Sequence, residues 1–100
     1  MKRIGEIIKE LREQKKLLLR EVAAKIAIDQ ALLSKIERNE RMPTKEQVIR
    51  LAEFYGAEEN EFLIAFLSDK IVYEVQNEEY GLEALKLAEK KVKYKRNQSK

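Results

Sequence analysis

The sequence contains neither cysteine nor histidine. Their absence excludes disulfides and the thiolate and imidazole sites that hold many structural and catalytic metals. It also removes the commonest nucleophilic and acid–base side chains of enzymes. Carboxylates do cluster at positions 58–61 and 78–79, but without histidine or a calcium-loop pattern a solvated acidic face is the better interpretation. We therefore expect no metal, no cofactor and no enzymatic activity.

Glycine is scarce, and long apolar runs are missing. Gly5, Gly56 and Gly81 are isolated, so there is no glycine-rich loop that could hold a phosphate. The longest apolar run, residues 62–67, is far too short to cross a bilayer, and the N-terminal MKRIGEIIKE is amphipathic rather than a signal region. We expect a soluble cytoplasmic protein with no membrane contact and no evident small-molecule ligand.

What the sequence does contain is helical periodicity. Apolar residues recur at helical spacing, and no stretch of any length alternates as a strand does. One hundred residues suffice for one small domain with a single core. Thr44 with Gln47 forms the capping-box pattern at the start of one helix, and Gly56 is expected to end it. The predicted fold is all-α, with helices over about residues 2–14, 44–55, 58–76 and 79–95 and two short ones within 18–44.

Residues 18–44 hold those two short amphipathic segments, joined by a tight polar hinge. Their inward apolar positions are Leu19, Val22, Ala23, Ile26, Leu33 and Ile36. Asp29 stands just before the second segment, where a carboxylate can cap a helix N-terminus. The second segment leaves small or hydrogen-bonding side chains outside: Gln30, Ala31, Ser34, Lys35 and Arg38. Side chains of this kind can read base edges in a DNA major groove.

The sequence resembles the lambda-repressor-like (Cro/XRE-type) helix-turn-helix DNA-binding domains. Three stretches, in this order, carry the resemblance: LREQKKLLLREVA, LLSKIERNERMPT and VIRLAEFY. The resemblance runs from about Ile4 to Tyr55. Two positions depart from the family pattern, which usually has serine or threonine in place of Leu18 and glycine in place of Ala27. The resemblance implies a helix-turn-helix DNA-binding domain. Together with the helices predicted after it, this gives a five-helix domain over residues 1–76, with helix 5 at the dimer interface, and a C-terminal helical extension with a basic tail over residues 77–100.

The resemblance also implies roles for individual side chains. Base readout falls to Gln30, Ala31, Ser34 and Lys35. Gln30 is the best candidate because its amide can pair bidentately with adenine, and its alternative is a solvated surface glutamine. For Lys35 a phosphate contact is an equal alternative, and for Ala31 simple exposure on a helix is an equal alternative.

The same resemblance places other side chains on the sugar–phosphate backbone. These candidates are Lys16, Arg20, Arg38, Asn39 and Arg41. Backbone contacts set the register on DNA and give salt-dependent affinity without reading sequence. For each cation the alternative is a solvated charge. Arg12 and Glu37 are expected to form a structural salt bridge between the end of the first helix and the end of the recognition helix.

The charge of the chain is divided into blocks. Residues 1–45 carry 12 Lys/Arg and 7 Asp/Glu, residues 46–85 carry 2 and 10, and residues 86–100 carry 7 and 1. The balances are +5, −8 and +6, which add to the net charge of +3. DNA would attract the first block and repel the second. The alternative is that the lysines only keep a helical protein soluble.

The run FLIAFL makes the fifth predicted helix apolar around most of its circumference, so it needs cover on more than one side. We expect a dimer interface formed by Phe62, Leu63, Phe66, Leu67, Ile71 and Val75. The alternative is an internal core with the last helix.

The resulting hypothesis is that the protein is a sequence-specific transcriptional regulator that binds double-stranded DNA as a homodimer on a pseudo-palindromic operator. In this it resembles phage repressors or restriction–modification controller proteins. A second hypothesis is a DNA-binding antitoxin, or another protein-binding module of a toxin–antitoxin pair, because the acidic block would suit a basic partner.

Overall fold

The computed structural model describes residues 1–98, and over these residues the chain forms six α-helices and no strand. The helices are α1 (Ile4–Gln14), α2 (Leu19–Lys25), α3 (Gln30–Glu37), α4 (Lys45–Tyr55), α5 (Glu59–Val75) and α6 (Gly81–Gln98). The predicted all-α class, a five-helix domain with an additional C-terminal helix, is confirmed. The last two residues of the predicted basic tail, 99 and 100, lie outside the described part of the chain.

Local sequence signals determine several helix ends. The Asp29 carboxylate accepts a hydrogen bond from the backbone N–H of Ala31 at 3.0 Å and so caps α3. Thr44 and Gln47 form the predicted capping box, with reciprocal bonds of 2.9 and 3.1 Å. Gly56 ends α4 with φ of +64°, a left-handed conformation that costs glycine little.

The two departures from the family pattern both lie at ends of α2. Leucine has no hydrogen-bond acceptor in its side chain, so Leu18 cannot cap this helix. Only one half of a capping box is present: the Glu21 carboxylate accepts a hydrogen bond from the Leu18 backbone N–H at 2.8 Å. Ala27 in the hinge has φ of +58°, in the left-handed region where a Cβ is unfavourable. Both positions therefore cost the fold some stability without touching the outer face of α3.

One apolar core joins the first five helices. Its buried members are Ile4, Ile8, Val22, Ala23, Ile26, Leu33, Ile36, Val48, Leu51, Ala52, Tyr55, Phe62 and Phe66. The short helix α3 packs against both α1 and α2. With one face of α3 held in this way, its opposite face is left for solvent or a partner.

Two of the six residues predicted for the dimer interface belong to this core. Phe62 is 4% exposed and Phe66 is 3% exposed within the single chain, so both rings pack in the domain's own core. Their predicted place in a dimer interface stays a prediction. Leu63 and Val75 are half-buried, whereas Leu67 and Ile71 are exposed.

The chain divides into two compact units, one formed by residues 1–70 and one that begins at Ile71. The first contains α1 to α4 and most of α5. The second contains the last residues of α5, the connection after it and α6. The division at residue 76 that the sequence predicts stays a prediction. Within residues 1–98, no helix combines the length and apolar character that a membrane span requires.

The missing cap of α2 gives a direct test of this fold. We expect Leu18→Ser to be more stable than Leu18→Ala by about 1 kcal/mol, because the hydroxyl can accept a hydrogen bond from the free N–H groups of the first turn. Comparing serine with alanine removes the effect of the lost leucine side chain. Urea denaturation measures both variants, and equal midpoints would show that the N-terminus of α2 has no need of a cap.

Candidate nucleic-acid interface

Helix α3 has one buried and one open face. Leu33, Ile36 and Glu37 are buried, whereas Gln30, Ala31 and Lys35 are exposed and Ser34 is half-buried. The four predicted base-reading side chains therefore lie together on the side of α3 that faces away from the core. Their spacing is i, i+1, i+4 and i+5, which sets two adjacent pairs one helical turn, or about 6 Å, apart along the axis.

The predicted backbone-contacting cations all lie outside the bounds of α3, and they differ in their surroundings. Lys16, in the turn between α1 and α2, has φ of +56° and an exposed side chain. Arg20 is exposed in the first turn of α2, and Arg41 is exposed in the loop after α3. Their predicted contacts to DNA phosphates stay predictions.

Arg38 and Asn39 have partners within the chain. Arg38 forms an ion pair with Glu40 at 2.9 Å, and both side chains are about half exposed. An exposed pair of this kind is weak, so a phosphate can replace the carboxylate at little cost. Asn39 has φ of +61° and lies beside Gly5 of α1. The structure thus gives Asn39 a packing role at the end of α3, and its predicted backbone contact stays a prediction.

The structure contains the salt bridge between Arg12 and Glu37. Arg12 Nε lies 2.9 Å from Glu37 Oε2, and Arg12 Nη2 donates to Glu37 Oε1 at 3.0 Å, which makes the pair bidentate. Arg12 Nη1 also donates to the carbonyl of Leu17 at 3.0 Å. The Glu37 side chain is 3% exposed and that of Arg12 is 15% exposed. One guanidinium therefore links the end of α1, the turn before α2 and the end of α3.

Two groups of this cluster, Arg12 and Tyr55, have pKa values above their usual ones. The hydrogen bond to Glu37 raises the pKa of Arg12 above its usual value, despite the opposing effect of burial. Burial raises the pKa of Tyr55 to about 12, and the nearby Glu37 charge acts in the same direction. Tyr55 is therefore neutral at physiological pH and acts here as a packing residue.

Gly5 positions α3 in a way that the sequence analysis did not predict. A Cβ at this position would collide with the carbonyl oxygen of Ile36 in α3 and with the Asn39 side chain. The backbones of α1 and α3 approach this closely only because residue 5 is glycine. An isolated glycine within an amphipathic helix was the available signal, since such a residue often marks a close approach between backbones.

Three further long-range contacts were also missed. Asp69 of α5 is buried, and its Oδ2 accepts from the backbone N–H of Ile4 at 2.8 Å, which caps the N-terminus of α1 from 65 positions away. Arg3 Nε lies 3.9 Å from the same carboxylate. Arg50 of α4 donates to the carbonyl of Ile26 at 3.2 Å, just after α2. Neither Asp69 nor Arg50 had a local sequence signal, because both partners are distant in the chain.

The buried bridge makes a quantitative prediction. Arg12→Ala should lower the free energy of unfolding by about 3 kcal/mol or more, because Glu37 would be left buried and unpaired. Arg12→Met combined with Glu37→Leu should lose much less, since no buried charge remains. Urea denaturation measures both.

The exposed Arg38–Glu40 pair supplies the control. Arg38→Ala should cost no more than about 1 kcal/mol. If Arg12→Ala were as mild as Arg38→Ala, the bridge would not hold α3 in place.

The chain was compared with known proteins. The family model described as helix-turn-helix matches residues 8–62, from within α1 to the start of α5. No curated protein gives a significant match. A hypothetical protein from E. coli shares 24% identity, with a TM-score of 0.68 over 84% of this chain and 86% of its own. A chain of the SinR protein/SinI protein complex shares 21% identity, with a TM-score of 0.56 over 94% of this chain and 98% of its own.

At these identities the two structures show a similar fold and nothing more. The family match is stronger evidence, because it covers more than half of the chain and includes α2, the hinge and α3. The chain belongs to the lambda-repressor-like, Cro/XRE-type family of helix-turn-helix DNA-binding transcriptional regulators.

Proposed function

We propose that the protein regulates transcription by sequence-specific binding to double-stranded DNA, as a homodimer on a pseudo-palindromic operator, with α3 in the major groove. One observation supports this most: α3 is capped by Asp29, anchored by the bidentate Arg12–Glu37 bridge, and open on its polar face. A recognition helix needs this combination, because base-edge hydrogen bonds discriminate only when the helix is held at a fixed angle.

Gln30 is the proposed main reader of sequence. It is the first residue of α3 and is exposed, so its amide projects from the end of the helix that enters the groove in this family. The amide carries both a donor and an acceptor and can match the N6 and N7 groups of adenine. Ala31, Ser34 and Lys35 complete the proposed reading face, with apolar, hydroxyl and cationic groups beside it.

Affinity would come chiefly from the phosphates. Lys16, Arg20 and Arg41 are exposed, and Arg38 can exchange its carboxylate partner for a phosphate. Each phosphate contact releases counterions, so binding should weaken steeply as salt rises. The acidic block of residues 46–85 would be repelled by DNA, which favours an orientation with the N-terminal charges toward the duplex.

Dimerisation is part of the proposal because a single α3 reads only a few base pairs. Two copies related by a two-fold axis would place their recognition helices about 34 Å apart on one face of the duplex. Leu67 is 52% exposed and Ile71 is 47% exposed, so apolar side chains of α5 remain available to a partner.

The alternative function, an antitoxin or other protein-binding module, keeps the same DNA-binding half and adds a different polypeptide. One chain with this fold comes from a complex of two named proteins, SinR and SinI. Purification from the native host separates the two proposals: a second polypeptide at equal stoichiometry favours the alternative, and a homodimer alone contradicts it.

The readout role of Gln30 can be tested with a duplex obtained by selection from a random library. Gln30→Ala should weaken binding to the selected duplex by about 1–3 kcal/mol and leave binding to random duplex nearly unchanged. Gln14→Ala is the matched control, because Gln14 is an exposed glutamine at the end of α1 and outside α3. Fluorescence anisotropy at fixed salt gives the affinities, and an equal loss on both duplexes would remove Gln30 from base readout.

A further inference from the structure

The unit that begins at Ile71 has almost no core of its own. Among its described residues, Gly81 is the only one buried and Val75 the only one half-buried. Large apolar side chains on its surface include Val72, Tyr73, Leu82, Leu87, Val92 and Tyr94, each at least 47% exposed. Helices in proteins gain most of their stability from tertiary packing of an apolar face, so these exposed apolar side chains favour a packing partner for the unit.

Within this unit, the end of α5 and the first half of α6 form a cleft of about 420 Å³. Its apolar lining comes from Val72, Val75, Leu82 and Leu85. A Cβ on Gly81 would collide with the carbonyl oxygen of Val75, so the two helices meet closely at this point. Three glutamates, Glu78, Glu79 and Glu83, also line the cleft. A suitable occupant would therefore carry apolar side chains flanked by positive charge.

The second half of α6 has that chemistry. Residues 71–85 contain four glutamates and no Lys or Arg, whereas residues 86–98 contain six Lys or Arg and one glutamate. In the basic half, Val92 and Tyr94 are 54% and 63% exposed and lie among lysines 90, 91 and 93. The acidic cleft and the basic half of α6 are thus complementary surfaces carried by the same chain.

We infer that the acidic cleft of one copy receives the basic half of α6 from a second copy. The contact is reciprocal, so two copies with antiparallel α6 helices make it twice around a two-fold axis. The 18 residues of α6 extend about 27 Å, so each half of the helix is about 13 Å long, and an antiparallel pair of α6 helices sets each basic half opposite the other copy's first half. This inference rests on the proposed homodimer and assigns its contact surface.

A second copy fits better than another partner because each chain supplies both halves of the contact. A pairing of this kind uses each cleft and each basic segment once, so the assembly closes at two subunits. Like charges would oppose the parallel arrangement, in which acidic halves meet acidic halves and basic halves meet basic halves.

Charge reversal of the full-length protein tests the pairing. One variant carries Glu78→Lys, Glu79→Lys and Glu83→Lys, and the other carries Lys90→Glu, Lys91→Glu and Lys93→Glu. Each alone should raise the dimer dissociation constant roughly 100-fold or more, because like charges would then face each other. An equimolar mixture should form a dimer with one copy of each variant, since every contact again joins opposite charges. Sedimentation gives the mass, and isotope labelling of one variant with native mass spectrometry gives the composition.

The control variant carries Glu58→Lys, Glu59→Lys and Glu61→Lys, an equal charge change on exposed residues outside the cleft, and it should dimerise as the wild type does. Dimerisation of either single variant with the wild-type dissociation constant, a mixture that stays monomeric, or a monomeric wild type would overturn the inference. Anisotropy with the selected duplex keeps the two proposals apart. If the wild type prefers that duplex but dimerises through another surface, only the proposed contact between cleft and α6 is refuted. If the wild type dimerises as proposed but shows no sequence preference, only the proposed DNA readout is refuted.

Discussion

The rest of the structure depends on how α3 is held. A helix of eight residues is too short to be stable alone, and its outer face must stay free of protein contacts to meet DNA. The Arg12–Glu37 bridge holds α3 by its buried face, so the exposed face stays free. Its bidentate geometry fixes the orientation of α3 as well as its position. Gly5 adds a second contact on the inner side, because a Cβ at this position would collide with the Ile36 carbonyl oxygen of α3.

The interface is therefore built from two groups of residues with separate tasks. Buried residues, above all Leu33, Ile36 and Glu37, hold α3 in the domain. The exposed residues of α3 can be substituted without disturbing the core. Leu18 and Ala27 depart from the family pattern at the ends of α2, so their cost in stability falls outside the exposed face of α3.

Sequence reasoning succeeded where the determinants were local. The caps at Asp29, at Thr44 with Gln47, and at Gly56 all depend on residues within a few positions, and the structure contains each of them. It failed for Asp69, whose partner is 65 positions away.

The fifth helix shows a second kind of limit. Its apolar residues surround the helix, so periodicity could not tell which face turns inward. The phenylalanines at 62 and 66 pack in the domain's own core, whereas Ile64 and Leu67 remain exposed. Likewise, the pattern of charge along the chain was visible in the sequence, but the acidic cleft was not, because the close contact of Gly81 with Val75 that shapes it depends on the path of the chain.

The most direct test of DNA recognition through α3 is an NMR titration of the uniformly ¹⁵N-labelled protein with the selected duplex. Insertion of α3 into the major groove predicts that the largest amide shift changes fall on residues 30–35 and on the loop at 38–41, with smaller changes around Lys16 and Arg20. Unchanged amides in α3 together with the largest changes in α6 would contradict it and would move the DNA-binding surface to the basic C-terminal helix.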